Sequence, residues 1–176
     1  MTDTTLSAAI KEAYASAPCD DIIYHTLEIY HSAFDAPIRV VRDSTDLTAT
    51  LEATAPRNPG ASVSFIGYPF DIVPPDTQTE GMPSCVIEID NVSREILGNI
   101  ELAMGSSEVI TVIYRQFLSS ALASGPENDP PLTLTVMAIT ANVFRIRATC
   151  GFSDLVNKKF PSVKYTLEQF PGLIQT

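Results

Sequence analysis

Hydrophobic and polar residues alternate along most of this chain, and the alternation predicts a series of short β-strands. The clearest case is 85–90, where Cys85, Ile87 and Ile89 fall on one face of an extended chain. A period of two with one apolar side is typical of a strand that buries one face. Directly after it, 93–103 begins with a serine cap and has the apolar spacing of a short amphipathic helix.

The same pattern predicts the remaining elements. A helix is predicted over 6–17, and Pro18 ends it because the residue before proline avoids helical angles. Further strands are predicted over 22–31, 38–42, 47–52, 62–66, 68–73, 108–118, 132–138 and 143–151, with a bend at Gly67 and a hairpin between the last two. Segments rich in proline and glycine, at 55–61, 74–83 and 123–131, are predicted loops.

These elements indicate a mainly β (α+β) protein. Frequent short strands favour a β-sandwich or barrel over a parallel α/β sheet. We expect a helix or arm over 1–19, a β domain over 20–151 with a flanking helix near 93–103, and an extended C-terminal segment over 152–176.

Composition excludes some classes of function. The net charge of −10 argues against a nucleic-acid-binding protein, because phosphate binding needs clustered Lys and Arg. The N-terminal residues lack the basic start and following apolar run that are typical of a signal peptide. No apolar run approaches the roughly 20 residues that a membrane span needs. We therefore expect residence in a cytoplasm and no membrane partner.

Metal and cofactor sites find no support in the spacing of cysteine and histidine. Cys19, Cys85 and Cys150 are far apart and form no CxxC pair, so they favour free thiols, with a single bridge left open. His25 and His31 lie about 20 Å apart on one predicted strand face, too far to share a metal. We expect no metal and no cofactor.

Catalytic patterns are equally weak. Asp20 with Asp21, and Asp71 with Asp76, are pairs of carboxylates that a glycosidase could use, but all four border predicted turns, where Asp is common. The sequence has no GxSxG elbow and no GxGxxG or phosphate loop. A hydrolase on a β scaffold is therefore the least favoured hypothesis.

Arginines and aromatic–proline pairs are the candidate interface residues. Arg94, Arg115, Arg145 and Arg147 either form a basic interface patch or pair with nearby acids at the surface, and the second is favoured. Prolines next to aromatic rings give preorganised apolar segments, which either dock onto a neighbour or pack onto the chain's own sheet. The candidate interface residues are Tyr68, Phe70, Arg94, Phe160, Phe170 and Leu173.

Five stretches after residue 20 carry a family resemblance. They are LEIYH (27–31), APIRVVRD (36–43), YPFDIVPPD (68–76), GMPSCVIEIDNVSREI (81–96) and FPSVKYTLEQFPGL (160–173). The sequence resembles a family of small tail proteins of long-tailed bacteriophages and related prophages. Its most specific parts are IDNVSRE and the closing FP…YT…FPGL.

The resemblance implies a structural role without catalysis. It implies a tail-tube-like fold of two packed β-sheets and a distal tail or minor tail protein that forms a ring, with sixfold symmetry, between the tail tube and the tip hub. The implied partners are further copies of the chain, the tube protein and the hub protein, with DNA passing through the lumen. The implied location is the virion tail, with the host cytoplasm during assembly. A tail assembly factor that leaves the particle is the alternative.

Overall fold

The computed structural model describes residues 7–16, 21–73, 84–90, 98, 103, 108–142 and 144–152. It contains one helix and nine strands in these ranges. In chain order they are α1 (Ala8–Ser16), β1 (Ile23–Tyr30), β2 (Ile38–Val41), β3 (Leu47–Thr50), β4 (Ser62–Gly67), β5 (Phe70–Val73), β6 (Ser84–Asp90), β7 (Thr111–Leu118), β8 (Leu132–Ala141) and β9 (Arg145–Gly151).

The predicted mainly β class is confirmed. Each predicted strand has a counterpart within a few residues, and the first helix is present. Of the second predicted helix only Gly98 and Ala103 belong to the described residues, and both have helical backbone. The predicted C-terminal segment lies outside them beyond Phe152.

The nine strands form one sheet in the order β3-β4-β2-β1-β7-β8-β9-β6-β5. All neighbours are antiparallel except β2 and β4, which run parallel through Val40 and Val41. Strands β3 and β5 stand at opposite ends and do not pair with each other. The predicted sandwich or barrel is therefore not confirmed, since the described strands make a single sheet that does not close.

One continuous segment, β4 followed directly by β5, links the two ends of the sheet. The predicted bend falls at Gly67, the last residue of β4, where a Cβ would lie 2.9 Å from the backbone of Thr45. The Tyr68 amide donates to the carbonyl of Val41 at 2.9 Å, and the Asp90 amide donates to the carbonyl of Pro69 at 3.2 Å. Backbone contacts on both sides of the bend thus hold the sheet in a strong curl.

The curl encloses the main hydrophobic core. Residues of seven strands contribute to it, with Phe34 and Ala103 from connecting segments; among the buried strand residues are Leu27, Ile29, Val40, Phe70, Cys85, Ile87, Ile89, Val112, Leu134, Ile146 and Cys150. These side chains are apolar and nearly inaccessible, so their burial is the largest favourable term in folding.

A second, smaller core lies on the outer face of β2 and β7. Val41 and Phe117 pack there against residues of β3, β4 and the loop between them, namely Leu47, Ala49, Leu51, Ala55 and Phe65. The Phe65 and Phe117 rings are 5.8 Å apart and tilted, a favourable aromatic arrangement. As a result, the middle of β1 and β7 is covered on both faces.

Helix α1 packs against β7 and the loop between β7 and β8. The Ser7 hydroxyl accepts from the Ile10 amide at 3.2 Å, so Ser7 caps the helix, and Ile10 is fully buried. The backbone amide of Ser7 donates to the backbone carbonyl of Glu127. The side-chain Nε2 of Gln116 donates to the Tyr14 hydroxyl at 3.0 Å. These contacts attach the helix to β7 and to the loop that follows it.

Candidate functional site

Two of the six predicted interface residues lie within the described residues. Phe70 is 5 % exposed in the main core, and Tyr68 is half-buried against it. Intramolecular packing, the alternative left open by the sequence, therefore describes both side chains. Arg94, Phe160, Phe170 and Leu173 lie outside the described residues.

A ladder of charges covers the outer face of β5, β6 and β9. Asp71 pairs across the sheet with Glu88, which pairs with Arg147, and Asp90 pairs with Arg145 in a neighbouring row. Nη1 of Arg145 lies 3.0 Å from Glu88, and Nε of Arg147 lies 3.6 Å from the same carboxylate. The favoured prediction for these two arginines, pairing with acids at the surface, is confirmed.

An open cleft adjoins the ladder. It has a volume of about 530 Å³ and is lined by Arg42, Asp43, Ser44, Pro69, Phe70, Asp71, Glu88, Asp90 and Arg145. Arg42 lies 3.3 Å from Asp71, and both side chains are largely exposed. Exposed ion pairs of this kind contribute little to stability, so the ladder is a solvated surface of paired charges.

The β8–β9 turn presents the most exposed large apolar side chain of the described residues. Phe144 is 81 % exposed, although in sequence it continues the alternation of Ile146, Ala148 and Cys150. The Asn142 side chain accepts from the amides of Phe144 and Arg145 at 2.9 and 2.6 Å, which fixes the turn. The last strand pair is Ala141 with Ile146, so Phe144 lies beyond the sheet.

A buried ionic network joins β1 and β7 to the β3–β4 loop. Arg115 is fully buried, and its guanidinium binds both carboxylate oxygens of Glu52 at 2.8 Å and one oxygen of Glu28 at 3.1 Å. Arg39 lies 3.3 Å from Glu28, and Arg57 lies 3.7 Å from it. Arg57 also stacks 3.1 Å above the ring of Tyr30.

The network corrects one prediction from the sequence. Arg115 was expected at an interface or surface, and that location is wrong, because the β3–β4 unit covers the outer face of β7. An arginine in that covered position needs carboxylates around it, since an unpaired buried charge is costly. The network is a structural device and offers no open site for a substrate.

The two histidines have separate environments. Nδ1 of His25 lies 2.6 Å from the Tyr114 hydroxyl, which also accepts from the Gln116 side chain at 2.7 Å. Burial, followed by the charge of Arg42, lowers the pKa of His25, and burial raises the pKa of Tyr114 to about 12. Tyr114 therefore keeps its phenolic proton near neutral pH, and the lowered pKa favours the neutral form of His25.

His31 is buried beside Phe34, and its Nδ1 accepts from the Ala33 amide at 3.0 Å. Its Nε2 is buried without a hydrogen-bond partner. The two rings therefore contact different neighbours, Tyr114 for His25 and Phe34 for His31.

Candidate catalytic carboxylates are not brought together among the described residues. Asp71 is exposed and paired with Arg42, and Asp21 accepts from the Ser119 hydroxyl at 3.4 Å. Asp20 and Asp76 lie outside the described ranges. Within those ranges no three His, Cys, Asp or Glu side chains are grouped as a metal site would require, and no helix is long and apolar enough to cross a membrane.

Comparison with known proteins identifies the family. The profile of a domain family described as a domain of unknown function (DUF1833) matches residues 9–165. The chain belongs to the DUF1833 family. The match includes α1 from its second residue and all nine strands of the described sheet. No curated protein matches the sequence.

Proposed function

We propose that this DUF1833 protein is a structural component of a bacteriophage tail tip, a distal tail or minor tail protein that forms a ring joining the tail tube to the tip hub. The observation that carries the proposal is the resemblance of IDNVSRE and FP…YT…FPGL to small phage tail proteins. The finer fold that goes with it, a tail-tube-like arrangement of two packed layers, is part of the proposal. Its partners are copies of itself, the tube protein and the hub protein.

The geometry supports an assembly role in three ways. The sheet has two end strands, β3 and β5, and end strands offer backbone groups to a neighbour. Arg145, which lines the open cleft, forms exposed ion pairs with Glu88 and Asp90, and exposed charged groups of this kind can meet complementary charges on a neighbouring subunit. Phe144, next to the Asn142 hydrogen bonds of the β8–β9 turn, is exposed to solvent, where an aromatic ring can serve as an interface anchor.

A ring requires a heterologous interface, in which different patches of adjacent copies meet around a closed rotation. In our proposal Phe144 belongs to one such patch. Phe70 does not, because its side chain is buried in the core of its own subunit.

Mass spectrometry of purified particles tests the proposal. We expect the protein in mature virions at about six copies per particle, consistent with a single ring. Absence from mature particles, with presence on partly assembled tails, would favour the alternative of an assembly factor. Absence from both would refute a tail role.

A pair of variants tests the contribution of Phe144. We expect Phe144→Ser to fold with unchanged thermal stability and to reduce incorporation into particles at least tenfold, because aromatic hot spots contribute about 2 kcal/mol or more. The matched control is Ile66→Ser, which removes an apolar side chain that is 49 % exposed on β4. Equal incorporation of both variants would remove Phe144 from the interface.

A further inference from the structure

Cys85 and Cys150 face each other in the sheet. They are direct partners in the antiparallel β6–β9 register, and both are free thiols. Both side chains are fully buried and belong to the main core, so they point to the same, inner face. The sequence left open whether any two cysteines pair, and the register now selects this pair.

The backbone distance suits a bond between them. Directly opposed residues of an antiparallel pair have Cα atoms about 4.5–5.5 Å apart, and disulfides form at about 4.4–6.8 Å. We propose that Cys85 and Cys150 are a redox pair, which closes as a cross-strand disulfide when the folded protein meets an oxidising medium. The inference depends on the fold alone and does not rest on the proposed function.

The surroundings of the pair keep it reduced where reductants are plentiful. Burial raises the pKa of Cys85 to about 11, and burial together with the neighbouring Cys85 raises the pKa of Cys150 to about 12. Because the thiolate is the species that reacts, both thiols react slowly while β6 and β9 remain paired. The pair lies next to the last rung of the β6–β9 ladder, Ser84 with Gly151, so fraying of that end exposes it.

The oxidant is a low-molecular-weight disulfide such as oxidised glutathione. One cysteine loses its proton and attacks the oxidant, which forms a mixed disulfide and releases one small thiolate. The second cysteine then loses its proton and attacks the protein sulfur of the mixed disulfide. The products are the Cys85–Cys150 disulfide and two reduced small thiols, so two electrons pass from the protein to the oxidant.

The disulfide would link β6 and β9 covalently near one end of their pairing. It would join the strand that follows the 74–83 segment to the strand that precedes 153–176, and it would close a loop of roughly 65 residues. Cross-linking a loop of that length lowers the entropy of the unfolded chain, which we expect to raise the melting temperature by about 5–10 °C.

Thiol mapping tests the pair. The full chain with Cys19→Ser, which removes the third thiol, is incubated near its melting temperature with oxidised glutathione until the thiol count is constant. We expect a mass lower by two hydrogens, one peptide containing both Cys85 and Cys150, and a melting temperature that rises and returns after dithiothreitol. Separate glutathione adducts on the two cysteines, or two free thiols in the oxidising buffer, would overturn the proposal.

Single variants provide the control. Cys85→Ala and Cys150→Ala, each combined with Cys19→Ser, retain one thiol and cannot close the bond. We expect the oxidant to leave their melting temperatures unchanged. An equal rise in these variants would show that the stabilisation has another origin, and the peptide map of the parent chain decides the matter if either variant fails to fold.

Discussion

Replacing Arg115 with methionine is the most direct test of the buried ionic network. Methionine keeps a long apolar stem in the space of the arginine but removes the charge. The Glu28 side chain is completely buried and loses its only fully buried cationic partner, while Glu52 loses two bonds of 2.8 Å. Removing one partner of a buried pair costs about 3–5 kcal/mol, because the remaining buried charge loses its compensation; here Arg39 and Arg57 still contact Glu28, while Glu52 loses both of its bonds to Arg115.

The expected loss of stability in Arg115→Met is large compared with the total free energy of unfolding of a domain. A domain has a free energy of unfolding of roughly 5–15 kcal/mol, so a loss of about 3–5 kcal/mol is about a fifth of it or more. With a urea slope of about 2.5 kcal/mol per molar, a loss of 4 kcal/mol lowers the midpoint of unfolding by about 1.5 M. Urea titrations followed by circular dichroism measure this shift.

Two further variants separate charge from packing. Arg145→Met breaks only exposed ion pairs on β9 and should cost less than about 1 kcal/mol. Adding Glu28→Gln to Arg115→Met removes the stranded carboxylate and should recover part of the loss. The reasoning is refuted if Arg115→Met costs no more than Arg145→Met, or if the double variant is less stable than the single one.

Three other perturbations have expected outcomes. Gly67→Ala should destabilise the protein by about 1–3 kcal/mol, because its Cβ would meet the Thr45 backbone, whereas Gly98→Ala, with nothing within 4 Å, should not; urea midpoints compare the two. The lowered pKa of His25 means that the unfolded chain binds its proton more readily, so stability should fall as pH drops below about 6.5; His25→Phe should flatten that decline between pH 7.5 and 5.5. Phe117→Ala should lower the free energy of unfolding by about 3–5 kcal/mol in the same titration, because it leaves a cavity in the second core.

Local pattern was sufficient to predict the strands. The alternation of Cys85, Ile87 and Ile89 identified β6 and its buried face, and all three side chains are in the main core. Gly67 was predicted to bend the chain, and the close Thr45 backbone explains why a glycine is needed there. The strand pattern depends on neighbours in sequence, which is why sequence reasoning finds it, whereas the contact of Gly67 with Thr45 depends on the fold.

Features that depend on distant segments were not predictable. Glu28 and Arg115 occupy polar positions of alternating strands and would be exposed if nothing covered them; β3, β4 and their loop provide the cover. Phe144 continues the apolar alternation of β9, yet the sheet ends before it reaches that residue. Neither outcome has a signal in the local spacing, since each depends on which strands meet and where their pairing stops.

The position of β1 in the sheet has a consequence for folding during synthesis on the ribosome. One side of β1 is completed by β2, its immediate successor, but the other waits for β7, whose Leu118 pairs with Ile23 roughly 90 residues later. At about 5–20 residues per second, a ribosome needs several seconds to supply that partner. During this interval the nascent chain carries a bare, apolar strand edge, so fragments that stop before β7 should aggregate rather than fold as smaller domains.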